Sequence, residues 1–147
     1  MVGVAASDET GDALLLELAA AGVGHATAVR SGADGLDAAD LDLALNYLPD
    51  IRAIVLVDPD PALVPPAAAE SGWSGAGLVI ISSRAAGLDT GVAPRAIVLE
   101  PPASDPDGTF AGLVAALAAR LDAGEDPAAA WKSTADALAV DKIAERT

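Results

Sequence analysis

Short, almost uninterrupted apolar runs alternate along the chain with segments whose apolar residues recur every three or four positions. The runs Val2–Ala6, His25–Arg30, Ile51–Val57, Ala76–Ser82 and Arg95–Glu100 read as strands. Ile51–Val57, written IRAIVLV, is the clearest of them: it is β-branched and long enough for a strand buried on both faces. Between the runs lie helical patterns. Ser7 or Asp8 caps the first, which stops at Gly22, and Asp37 caps a second whose Leu41, Leu45 and Leu48 share a face before Pro49 ends it. A short helix is expected from about Pro65, and two more over roughly Pro106–Ala123 and Pro127–Val140. Apolar strands separated by helices predict an α/β fold, a three-layer sandwich with a mostly parallel sheet of about five strands. Val55, Leu56, Val57, Val79, Ile80, Ile97 and Val98 are its expected core. With no linker or low-complexity block visible, residues 1–147 are expected to form a single domain.

Composition narrows the partners. Aromatic residues make up 3% of the 147, which leaves little to stack on nucleobases, and 22 acidic against 8 basic residues give a net charge of −14. Such a surface repels phosphate backbones and anionic headgroups, so neither nucleic acid nor membrane is an expected partner. The chain has no cysteine and one histidine, His25, which removes disulfides, thiol catalysis and cysteine-based metal sites, and no metal ligand set is assigned. The first residues carry Asp8, Glu9 and Asp12 without a basic flank, unlike a signal peptide, and no apolar run reaches membrane-spanning length. A soluble cytoplasmic protein is the expectation.

Candidate chemistry lies in two turns. In SDPDGTFAG, Ser104–Gly112, two aspartates and a glycine precede a long helix rich in Ala and Leu. In SSRAAG, Ser82–Gly87, a strand exit carries Arg84 where open α/β sheets usually bind ligands, at the carboxyl ends of the strands. Both turns have a plain structural reading. Asp105 is an N-cap followed by Pro106 at the first helical position, a device repeated at Asp126–Pro127, and Asp107 is favoured by the helix dipole. Trp131, in phase with Ala128, Ala135 and Leu138, reads as a core residue.

The order of these segments resembles the ribokinase-like carbohydrate kinases, the PfkB group. DETGDALLLELAAAGV, with Asp8, Gly11, Gly22 and Val23, is similar to a family segment of acidic residue, glycine, helix and Gly-Val; DPAAAWKSTADALAV is similar to the family's final helix. In the family's Thr-x-Gly-x-x-Gly, Ser82 stands for the threonine, Arg84 for the first glycine and Gly87 for the second. The resemblance implies a ribokinase-like fold, ATP with magnesium as cofactors, and a signature Gly-Ala-Gly-Asp-x-Phe-x-Gly whose aspartate is the catalytic base. Anchored on Phe110 and Gly112, that signature places its glycines on Asp105 and Asp107 and its base on Gly108. Shifted by one residue, it makes Asp107 the base. The family's metal-linked Asn-x-x-Glu has no counterpart, because the only asparagine, Asn46, is followed by Tyr47, Leu48 and Pro49. A phosphate cradle needs bare amides and positive potential; two carboxylates supply the opposite.

Three readings follow. The first is a shortened, non-catalytic relative of these kinases, a binding, regulatory or assembly module that needs no cofactor. The second is an active ATP- and magnesium-dependent kinase with Asp107 or Asp105 as base and Gly108, Ser82, Arg84 and Gly87 at the nucleotide. The third is an unrelated, flavodoxin-like α/β domain. A shortened kinase would bare a sheet edge or an apolar helix face, so a homodimer is the expected assembly.

Overall fold

The computed structural model describes residues 2–5, 8–20, 22, 26–29, 36–84, 91 and 93–144. They fall into two compact units, Met1–Leu48 and Pro49–Thr147. In the first, strands β1 (Val2–Ala5) and β2 (Ala26–Val29) pair in parallel, and helices α1 (Glu9–Ala20) and α2 (Ala38–Tyr47) follow them in turn. The expected caps form. Asp8 Oδ1 accepts the Gly11 amide at 2.9 Å, and Asp37 and Asp40 make a reciprocal capping box at the start of α2. Leu41 and Leu45 are buried as their spacing requires, whereas Leu48 has left the helix and is exposed.

The second unit is an α/β layer structure: a small, open, all-parallel sheet of three strands with helices on both sides. Strands β3 (Ala53–Val57), β4 (Gly77–Ile81) and β5 (Ile97–Leu99) lie in that order, so β4 is central and buried at every position. A 3₁₀ turn, Pro61–Leu63, leads into α3 (Val64–Ser74), which packs on β4 with Val64 and Ala67 buried. Gly75, in the left-handed region at φ 76°, ends that helix. Helices α4 (Thr109–Asp122) and α5 (Pro127–Ala144) pack against each other, with α4 on β3 and β4.

Strand alternation sorts the core into two layers. Val79, Ile81 and Leu99 point toward α4 and meet Leu117, Leu121 and Ala130. The other parity contains Ile54, Leu56, Leu78 and Ile80, all buried. Leu56, Val79 and Ile80 are therefore core as expected, while Ile97 and Val98 are half-buried. Val55 and Val57 are not core: they are 36% and 69% exposed. Both belong to the parity that faces α4, but β3 lies at one edge of the three-stranded sheet, and only Ala53 at its start packs against the α4 cluster. An apolar run reports that a strand has two faces to bury, not that a helix reaches the whole of each.

Candidate functional site

At the carboxyl ends of β3, β4 and β5, where the sequence placed the candidate chemistry, described groups of the chain bond to one another. Beyond β3, Asp58 takes a positive φ of 41°. Its amide donates to Ile81 O at 2.8 Å, and its Oδ1 accepts the Ser83 amide at 3.0 Å and the Ser83 hydroxyl at 3.2 Å. Ser82 is buried; its amide donates to Leu99 O, and its Oγ accepts the Arg84 amide at 3.1 Å. The hydroxyl oxygen is thus tied to its own turn. Arg84 is exposed and has no ion pair among the described residues. Gly87 lies outside the described residues.

The turn before α4 differs in detail from the expectation. The helix begins at Thr109, not Pro106, and the cap position belongs to Gly108. Residues 105–108 form a turn closed by Gly108 N–H to Asp105 O at 3.2 Å, and Gly108 sits in the left-handed region at φ 67°, which breaks the helix before it can extend back to the proline. Asp105 nevertheless does an N-cap's work from three residues further back. Its Oδ1 accepts the Phe110 amide at 3.0 Å and its Oδ2 the Ala111 amide at 2.9 Å. These bonds, from Ala111 first and Phe110 second, hold the Asp105 carboxyl below its ordinary value by stabilising the charged form. Asp107 is exposed and makes no hydrogen bond among the described residues.

Two of the amides that an anion would use at the amino end of α4 are therefore occupied by a carboxylate of the same chain. Among the described residues no cluster of three or more His, Asp or Glu could hold a metal ion. With these amides held by Asp105 and a second carboxylate at Asp107, the turn does not fit ATP with magnesium.

The opposite end of the sheet is open. A cavity of about 970 Å³ lies where the strands begin, bounded by the end of α3, the segment between α4 and α5, and the start of α5. Arg52, one residue before β3, and Arg95, two before β5, line it together with Trp131. Its two carboxylates are already committed. Glu125 holds the Arg120 guanidinium at 3.1 Å and the Ser133 hydroxyl at 3.1 Å, and Asp126 Oδ1 accepts the Ala128 and Ala129 amides that open α5. Arg52 and Arg95 have no ion pair among the described residues. Trp131, expected in the core, is 37% exposed because its helix face borders this cavity instead of the sheet.

The sequence does carry a sign of this site. The string Arg-Ala-Ile-Val-Leu occurs twice, at residues 52–56 and 95–99. The sheet order makes these the two edge strands, so each edge enters the sheet behind an arginine. No family model, curated protein or solved structure matches the chain.

Proposed function

We propose that the protein is a non-catalytic binding or assembly module, a relative of the ribokinase-like kinases in which the catalytic turn has become a structural brace. One observation carries this reading: the Asp105 carboxylate holds the Phe110 and Ala111 amides, the donors a transferred phosphoryl group would need. The charge of the turn acts in the same direction. Asp107 adds a second carboxylate beside the first, in a chain whose net charge is already −14.

A cytoplasmic homodimer belongs to the same proposal. Its support is the apolar surface left bare on the described residues, with Val57 69% and Trp73 87% exposed. No helix among the described residues is long and apolar enough to cross a membrane.

Calorimetric titration with ATP and with ADP, each with and without magnesium, tests the non-catalytic reading. The expected outcome is no heat of binding, and no turnover of common sugars or nucleosides. Turnover that Asp107→Asn abolishes would overturn the reading and restore an active kinase with Asp107 as base.

A further inference from the structure

The cavity at the amino ends of the strands has the makings of a selective site, and it stands apart from the α4 turn. Its volume of about 970 Å³ suits a small organic molecule. What decides the chemistry is which polar groups around it remain uncommitted. Ser71 Oγ donates to Ala76 O at 2.7 Å, and Ser74 Oγ donates to Glu70 O at 2.8 Å. Glu125 and Asp126 are held as described above. Arg52 and Arg95 remain, both exposed and both without an ion pair among the described residues. In a chain with 22 acidic residues, arginines left unpaired beside two carboxylates indicate that those carboxylates have been turned to other donors.

The two guanidinium groups enter on opposite edges of the sheet. The strands that carry them are separated by β4, two strand spacings or about 10 Å apart. Each guanidinium is a planar fork suited to a carboxylate. The Arg52 Nη1 lies 3.9 Å from where a side chain on Gly124 would begin, which places that fork over the end of α4. Between the two edges Gly77 of β4 is covered by the apolar side chain of Leu121, and Trp131 offers a flat apolar wall.

We propose that this cavity binds a small planar organic dianion, with an acid group at each end of an apolar body: one acid on Arg52, the other on Arg95, and the body against Trp131. The site sits away from the carboxyl ends of the strands, so it does not depend on how the α4 turn is interpreted.

The test uses Trp131 as reporter in the full chain carrying Trp73→Phe, which removes the one other tryptophan at a position 87% exposed. Benzene-1,4-dicarboxylate, benzoate and the neutral 1,4-dicarboxamide are titrated at constant ionic strength. The dicarboxylate is expected to change the Trp131 emission saturably and to bind more tightly than benzoate, and the diamide to leave it unchanged. Arg52→Gln and Arg95→Gln should each weaken the dicarboxylate about tenfold or more, the loss of one charge-assisted pair. Arg84→Gln, which removes an exposed arginine outside the cavity lining, should not. No saturable response to the dicarboxylate, an equal response to the diamide, or equal losses in all three arginine variants would overturn the proposal. Unchanged circular dichroism of the variants separates a lost contact from a lost fold.

Discussion

Gly77 is required by a neighbour and not by its backbone, and that distinction can be turned into a change of sign. It opens β4 with an ordinary strand conformation, so a side chain is excluded only by what it would meet. A β-carbon there would lie 2.6 Å from Leu121 Cδ2, 2.9 Å from Cδ1 and 3.0 Å from Cγ. Carbon atoms in good contact stand about 3.5–4.0 Å apart, so Leu121 would have to retreat by about 1 Å. It has little room to do so, since it is 2% exposed and packed in the α4 cluster with Val79 and Leu117. Overpacking of this kind costs about 1–3 kcal/mol. Against it stands the gain from restricting the unfolded chain, about 0.4–1 kcal/mol for Gly→Ala at a tolerant site. Gly77→Ala should therefore destabilise by about 1–2 kcal/mol. Leu121→Ala alone should cost about 2–5 kcal/mol. In the Leu121→Ala background the clash is gone and the new methyl enters the vacated space, so Gly77→Ala should become neutral or stabilising. Urea denaturation of the four proteins, followed by far-ultraviolet circular dichroism, measures the cycle. If Gly77→Ala destabilises both backgrounds equally, α4 does not lie on the start of β4 as described. The contact also borders the proposed dianion site, because Gly77 and Leu121 both line the cavity.

Other outcomes follow from the two ends of the sheet. The Asp105 carboxyl is held below its ordinary value, so its contribution is present above the unfolded aspartate range, about 3.9, and is lost as pH falls through the lower folded value; Asp105→Asn should flatten the acid limb of a stability–pH curve below about pH 4 and leave the neutral region less stable. Asp58→Ala should destabilise more than Asp58→Asn in thermal melts, because asparagine keeps an acceptor for Ser83 and tolerates the positive φ of 41°. Light scattering at micromolar concentration should return twice the 14.4 kDa chain mass, and a monomer mass would refute the homodimer.

Much of the local architecture was legible in the sequence for a plain reason: it is written in single residues. Asp8 caps α1, Asp37 caps α2 and Pro127 opens α5, and each acts through its own backbone or its nearest amides. Strand identity was equally visible, since IRAIVLV and AGLVIIS have little else to become. What failed to show was lateral. Whether Val57 is buried depends on where β3 lies in the sheet and how far α4 extends over it, and neither is encoded near Val57. The turn before α4 was half legible. Its aspartate was recognised as a cap, but Gly108 in the left-handed region moves the helix start by three residues, so the carboxylate reaches forward across the turn. The cavity was the least visible, because its lining comes from four separate stretches, 51–52, 68–78, 93–97 and 121–131, and its arginines look like ordinary strand flanks until the strand order is known.

The two ends of the sheet make opposite use of the same scarce resource. In a chain so acidic, carboxylates are abundant and positive groups are few, so what matters at any place is which charges are already spoken for. At the carboxyl ends, Asp58 and Asp105 satisfy the amides that an incoming anion would otherwise claim, and the chain acts as its own ligand. At the amino ends, Glu125 and Asp126 are drawn aside by Arg120, Ser133 and the start of α5, leaving Arg52 and Arg95 without an ion pair among the described residues. Neutralising Asp105 therefore distinguishes two accounts of the chain's recognition chemistry. If the carboxyl end is a masked phosphate site, Asp105→Asn should uncover binding of inorganic phosphate or ADP at α4. If the amino end is where recognition occurs, that variant should lose acid-dependent stability and gain no ligand, while Arg52→Gln and Arg95→Gln act on dicarboxylate binding alone. The second result is expected, because removing one charge from the turn still leaves Asp107 beside it and no arginine or lysine within residues 103–112 to hold a phosphate.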